Sequence, residues 1–136
     1  MSGAFTARTI VVADDEPAVR AYVRNILLPQ GVHLIEATDG LDAMEKIELQ
    51  NLRVDLLISD VRMPRMDGLA LARSLARAGP SIPIIFISGY PFDLEGNTTD
   101  PKLACVVLSK PFTRQALLSA IEKCLPLRDN LAGNSL

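Results

Sequence analysis

The sequence predicts an α/β domain, a three-layer sandwich in which helices cover both faces of a five-stranded sheet. Three observations predict it. Short apolar runs recur five times along the 136 residues. The first, third and fourth of these carry no in-and-out alternation, as strands buried on both faces require. Between the runs, apolar residues repeat at helical spacing. Strands alternating with helices join through right-handed crossovers, which places helices on both sides of a parallel sheet. Periodicity alone leaves the strand order open.

Each element has its own local signals. Thr9 to Ala13 is the first strand. Pro17 then suits the first turn of a helix, with Val19, Tyr22, Val23, Ile26 and Leu27 expected to form its buried stripe and Pro29 and Gly31 ending it. Val32 to Ala37 reads as the second strand, and it contains the single histidine, His33, expected to be structural or on the surface. Asp39 can cap a helix that turns Leu41, Ala43, Met44 and Ile47 inward. The third strand is expected at Val54 to Ser59. Asp67 is a good cap for a helix from Gly68 to Ala78, which Gly79 and Pro80 terminate. Strand four spans Ile84 to Ile87, and strand five Cys105 to Leu108. Thr113 can cap the last helix, with Leu117, Leu118, Ile121, Cys124 and Leu125 inward and Pro126 stopping it. The irregular stretch Gly89 to Lys102 is expected to hold at most a short helix near Asp93 to Asn97. The expected division is an N-terminal extension over residues 1–8, one domain over 9–125 and a flexible tail or linker over 126–136.

Composition narrows the function classes. A net charge of −2 with scattered Lys and Arg gives no electrostatic reason to expect a nucleic-acid or anionic-membrane partner. No apolar stretch approaches the roughly 18 to 20 residues needed to span a bilayer. No secretory signal is visible at the N-terminus, so a cytoplasmic location is expected. Cys105 and Cys124 lack a metal-ligand or redox spacing and are expected to be reduced, mostly buried thiols.

The chemistry gathers where the strands end. Asp14 and Asp15 close the first strand, Asp60 the third and Ser88 the fourth, while Lys110 and Pro111 follow the fifth. In an open parallel sheet, ligands bind just beyond the carboxyl ends of the strands, so these residues would share one pocket. Two carboxylates about 4 Å apart repel by about 1 kcal/mol in water and by roughly 4 kcal/mol at an effective dielectric near 20. A hard divalent cation relieves that repulsion, and Mg²⁺ takes oxygen ligands while keeping several waters. Lys110 and Ser88 add an ammonium and a hydroxyl, completing a cradle for a phosphoryl group. Asp60 is the candidate nucleophile, with Asp14 and Asp15 holding the metal. Each feature alone has an ordinary explanation, such as helix capping for Asp14-Asp15-Glu16 or a turn at Ser88-Gly89. Their joint placement at four strand ends is what chance explains badly.

These residues carry a family resemblance. Val11-Val12-Ala13-Asp14-Asp15-Glu16-Pro17, the run from Asp60 to Gly68 (DVRMPRMDG), Ile87-Ser88-Gly89 and Lys110-Pro111-Phe112 resemble the receiver domain of two-component response regulators, the CheY-like group. The resemblance covers about Thr9 to Leu125. It implies the flavodoxin-like strand order 2-1-3-4-5. It also implies Asp60 as phosphoacceptor, served by a phosphohistidine on a sensor histidine kinase or phosphotransfer protein. Mg²⁺ would then be bound by the side chains of Asp15 and Asp60 and the backbone carbonyl of Arg62, with Asp14 acting largely through water. Ser88 would hydrogen-bond the phosphoryl group, Lys110 would pair with one of its oxygens, and the Lys110-Pro111 bond would be cis.

The resemblance departs from the family pattern at Val107, where many receivers carry Tyr or Phe three residues before the lysine. A valine cannot make the aromatic rotamer swing, so the signal is expected to pass through the backbone from Ser88 to Tyr90 and the stretch beyond. Arg62 and Tyr90 are expected to overhang the phosphoryl group and to set how fast it is lost.

Two other function classes remain. An aspartate-nucleophile phosphatase needs an acid two residues past its nucleophile, where this chain has Arg62. A pure interaction domain would have no use for Asp14, Asp15, Asp60, Ser88 and Lys110 together. The expectation is therefore a signalling module with self-catalysed phosphotransfer and dephosphorylation and no substrate turnover. It is either a stand-alone regulator, the terminal receiver of a hybrid histidine kinase or part of a longer regulator.

Overall fold

The computed structural model describes residues 5–79, 81–89 and 106–125. Five parallel strands, β1 (Thr9–Ala13), β2 (His33–Ala37), β3 (Leu56–Asp60), β4 (Ile84–Ser88) and β5 (Val106–Ser109), form one sheet in the order β2-β1-β3-β4-β5. Four helices are described: α1 (Pro17–Leu27), α2 (Gly40–Leu49), α3 (Gly68–Ala78) and α4 (Arg114–Cys124). The layering and the strand order are those expected.

The sheet is covered on both faces because alternate residues of each central strand enter different cores. Ile10 and Val12 of β1, Leu56 and Ile58 of β3, and Ile85 and Ile87 of β4 pack with Val23, Ile26 and Leu27 of α1 and with Leu117 and Ile121 of α4. Val11, Leu57 and Phe86 face the other way, toward Ala43 and Ile47 of α2 and Leu71 and Leu75 of α3. β3 and β4 are buried along their whole length, which accounts for their lack of alternation. Phe5 enters the first of these cores, held by a turn in which Arg8 N donates to Phe5 O at 3.0 Å.

The three expected caps are present. Asp39 accepts from Asp42 N at 2.8 Å, Asp67 from Ala70 N at 2.8 Å and Thr113 from Ala116 N at 3.0 Å. Pro17 occupies the first turn of α1. That helix gives way at Leu28–Gln30 to a 3-10 turn closed by Gly31 at φ 80°, a left-handed backbone that suits glycine. β3 begins two residues later than its apolar run. Asp55 is taken up by the start of β1, where its Oδ2 accepts from Thr9 N at 2.7 Å and its own N donates to Thr9 O at 2.8 Å. His33 is exposed on the edge strand β2.

Two expectations are corrected. Tyr22 of α1 and Leu41 of α2, expected to face inward, are 41% and 42% exposed. Cys124 is disulfide-bonded and no free cysteine stands among the described residues, so a reduced thiol is not what the structure holds there. The chain's other cysteine, Cys105, lies outside the described residues, as do Tyr90 and the segment expected to carry a short helix near Asp93 to Asn97. Among the described residues, no helix is long and apolar enough to cross a membrane.

Candidate functional site: an acidic pocket with one lysine

The pocket forms where β1, β3, β4 and β5 end. Asp14 follows the last residue of β1, its N donating to Ala37 O at 3.1 Å, and its side chain is fully buried. Asp14 Oδ1 accepts from Glu16 N at 2.8 Å, a local turn that lets the chain leave the sheet and start α1 at Pro17. Arg20, one turn into α1, donates to the Asp14 carbonyl at 2.6 Å and lies 3.5 Å from Glu36. Asp15 points out into an open cavity of about 430 Å³, whose wall also includes Glu16, Asp60, Arg62, Gly89 and Lys110.

Asp60 is the last residue of β3 and is buried. Its backbone is tightly held: Ser59 Oγ donates to the Asp60 carbonyl at 2.8 Å, and Gly68 packs so close that a Cβ there would overlap the same oxygen. The loop between them is closed by Gly68 N donating to Val61 O at 2.8 Å. Arg62 N approaches Asp60 Oδ1 at 3.4 Å, a long hydrogen bond. Ser88 ends β4 with its side chain buried, and its carbonyl accepts from Lys110 N at 2.7 Å. That bond fixes the turn after β5, where the Lys110-Pro111 peptide is cis as expected.

Lys110 brings the carboxylates together. Its Nζ donates to Asp60 Oδ2 at 3.0 Å and to Glu16 Oε1 at 3.1 Å, and lies 2.9 Å from Asp14 Oδ2. The last contact is an ion pair without hydrogen-bond alignment, so this buried oxygen accepts no hydrogen bond. Burial raises the Asp14 pKa above its ordinary value. The Glu16 amide and Lys110 oppose that rise, and the Asp60 charge adds to it. Burial would lower the Lys110 pKa, but the close carboxylates of Asp14, Asp60 and Glu16 outweigh it and hold the ammonium above its usual value.

One carboxylate oxygen from each of Asp14, Asp15 and Asp60 lies within 4.8 Å of the others. All three donors are hard oxygens, and the buried Asp14 Oδ2 accepts no hydrogen bond. This set fits Mg²⁺. Of the residues singled out in the sequence, Asp14, Asp15, Asp60 and Lys110 therefore meet. Ser88 reaches the same rim through its backbone, and Arg62 lines the cavity. Val107, at the position usually aromatic, is 46% exposed on β5. Sequence reasoning missed two contributors. Glu16 gives Lys110 a third carboxylate, and Arg20 clamps the Asp14 carbonyl. The only signals were Glu16 adjoining the Asp pair and Arg20 standing one helical turn beyond it.

Comparison with known proteins gives the chain a family. The profile of the family described as "Response regulator receiver domain" matches residues 10–122. The chain is 35% identical over 121 residues to the sensor kinase CckA of Brucella abortus, covering 89% of this chain and 13% of that protein. It is 34% identical over 118 residues to the response regulator receiver protein CpdR of the same organism, covering 87% of this chain and 97% of that one. It thus spans about an eighth of the first relative and nearly all of the second. The structure of the response regulator TrrA of Thermotoga maritima, solved in complex with Mg²⁺ and BeF, superposes with a TM-score of 0.75 at 26% identity, covering 87% of this chain and 99% of that one. With the family's sheet order, and the family's profile matched from β1 through most of α4, this chain belongs to the response regulator receiver domain family.

Proposed function

We propose that this chain is the phosphoacceptor unit of a two-component relay, working in the cytoplasm, with residues 9–125 as the receiver, 1–8 as an extension and 126–136 as a tail or linker. Asp60 is the acceptor. One of its carboxylate oxygens attacks the phosphorus of a phosphohistidine on a sensor kinase or phosphotransfer protein. The N–P bond breaks, and its electron pair leaves with the donor's imidazole. Asp15 and Asp60 would hold Mg²⁺ through their side chains, with Asp14 acting through water and the Arg62 backbone carbonyl as a further protein ligand. When bound, the cation supplies positive charge against the phosphoryl oxygens. Lys110 pairs with one of those oxygens, exchanging one of its present carboxylate partners for the transferred group. The Ser88 hydroxyl donates to the phosphoryl group and moves toward it.

The observation that carries this reading is the ammonium of Lys110 held 2.9 Å and 3.0 Å from carboxylate oxygens at the ends of two different strands. A site that concentrates negative charge around one cation is arranged to receive a group carrying negative charge together with a second cation. The likeness to CckA and CpdR supports both settings for the unit, within a sensor kinase and standing alone. The chain relays signals and turns over no substrate of its own.

The test is to add acetyl phosphate, or beryllofluoride, with Mg²⁺ and follow intact mass and amide spectra. Stoichiometric modification that disappears in Asp60→Asn supports the proposal. Steady release of phosphate over many turnovers would instead mark a hydrolase, and no response at all would mark an interaction domain.

A further inference from the structure

Away from the acidic pocket, one side-chain pair joins two elements 26 residues apart. Arg65, in the loop between β3 and α3, grips Asp39 with both prongs of its guanidinium. Nε donates to Oδ2 at 2.6 Å and Nη2 to Oδ1 at 3.0 Å. Asp39 is 5% exposed and also caps α2, accepting from Asp42 N on the same Oδ1. A fork-on-fork pair of this kind fixes orientation as well as distance. A backbone contact runs beside it, with Gly40 N donating to Met66 O at 3.0 Å. A Cβ at position 40 would overlap that oxygen, so loop and helix are in direct contact. Arg65 itself adopts φ 64°, a left-handed backbone that a residue with a side chain holds only when its surroundings enforce it.

We propose that Asp39 and Arg65 are positioning residues. They clamp the loop from Val61 to Asp67 onto the start of α2 and so fix the backbone around Arg62 for cation binding at Asp60. This rests on the reading of the acidic pocket as a Mg²⁺ site. The two ends of the loop are already anchored, at Asp60 by its strand and at Gly68 by its bond to Val61 O. Between them the path of the backbone is set by Arg65 and Met66, three and four residues beyond Arg62. Partners that orient a metal ligand from outside the coordination sphere are worth about 10- to 100-fold in affinity. Acting through the backbone, this pair belongs at the low end of that range.

The experiment compares wild type, Arg65→Ala, Asp39→Asn and the double variant in two measurements. Asn caps a helix about as well as Asp, so Asp39→Asn removes the charged fork and leaves the cap. Hydrogen exchange of the amides of residues 61–67 is read in metal-free protein, and Mg²⁺ affinity by calorimetric titration. Both single variants are expected to exchange these amides faster and to bind Mg²⁺ about tenfold more weakly. The double variant is expected to be no weaker than the worse single one, as for two members of one interaction. Unchanged exchange in both singles overturns the clamp, additive losses overturn the pairing, and faster exchange with unchanged affinity overturns the positioning role. A wild-type protein indifferent to Mg²⁺ overturns the pocket reading along with the positioning role, while the exchange comparison, made without metal, still decides the clamp.

Discussion

The Lys110 ammonium lies 2.9 Å from Asp14 Oδ2, a fully buried oxygen that accepts no hydrogen bond. The pocket therefore holds the Asp14 charge at a net cost, as its raised pKa records. Replacing Asp14 with Asn removes that charge at nearly constant shape, while Lys110 keeps Asp60 and Glu16 as partners. Metal-free Asp14→Asn is expected to be more stable than wild type by about 1 kcal/mol, measured by urea unfolding. Mg²⁺ is expected to reverse the ranking. A cation at 100 times its dissociation constant stabilises the wild type by about 2.7 kcal/mol and the variant by less.

Lys110→Met acts in the opposite direction. It strips the ammonium from Asp14, Asp60 and Glu16 at once and leaves a buried carboxylate uncompensated. Metal-free stability is expected to fall by about 3 kcal/mol, with Mg²⁺ restoring a larger share of it than it adds to the wild type. A thermal scan with and without Mg²⁺ reads both quantities. Equal stabilisation of the two proteins by Mg²⁺ would show that lysine and cation do not share the same carboxylates.

Much of this architecture was legible in the sequence because it follows from short-range chemistry. β1 and α3 fall at the expected residues, and Asp39, Asp67 and Thr113 cap the helices assigned to them, since a cap needs only a side chain and an amide three residues on. The gathering of Asp14, Asp15, Asp60 and Lys110 was legible for a different reason, because parallel strands deliver their carboxyl ends to one edge. The strand order came from the family resemblance and not from periodicity. What stayed hidden depends on long side chains or distant partners. Asp55 reads as part of an apolar run until the Thr9 amide claims it, and that shortens β3. Arg65 reaching Asp39, Glu16 reaching Lys110 and the disulfide at Cys124 depend on three-dimensional separations that spacing along a chain does not encode.

Gly68→Ala tests how rigidly Asp60 is held. The added methyl would overlap the Asp60 carbonyl oxygen, with Ser59 Oγ 3.1 Å away, and neither the strand nor the first turn of α3 can retreat without breaking its own hydrogen bonds. The cost is expected to be about 2 kcal/mol, within the range for overpacking a well-filled site. Phosphorylation by acetyl phosphate should slow as well, because the shift falls on Asp60, the proposed acceptor. A variant of wild-type stability and rate would mean that the loop yields at this point.

Arg62 lines the open cavity beside Asp60 with its side chain exposed. Over a phosphorylated Asp60 that side chain would sit in the path of attacking water. Arg62→Ala is expected to shorten the lifetime of the phosphorylated protein about threefold, equivalent to less than 1 kcal/mol of barrier. The measurement is the decay of phosphoprotein after removal of the donor. An unchanged half-life would show that the side chain points away from the reacting face.

Acid stability has a source outside the pocket. Glu36 of β2 takes a bidentate hydrogen bond from Arg24, at 2.7 Å and 3.0 Å, and an ion pair from Arg20 at 3.5 Å. The Arg24 hydrogen bonds, opposed by partial burial, hold its carboxyl below the ordinary value of 4.5. A carboxyl whose pKa is lower folded than unfolded gives stability that is fully present above about 4.5 and is lost as pH falls through the folded value. Glu36→Gln cannot titrate, so it lacks both that stability and its loss. The stability difference between wild type and Glu36→Gln, from chemical denaturation, should therefore be steady near pH 6 and shrink steadily as pH falls below about 4.5 and Glu36 takes up a proton. Asp14, with its pKa raised, changes stability in the opposite sense above about pH 3.8, and it is common to both proteins, so it cancels in the difference. A gap that stays constant with pH would mean that Arg24 and Arg20 hold Glu36 no better folded than unfolded.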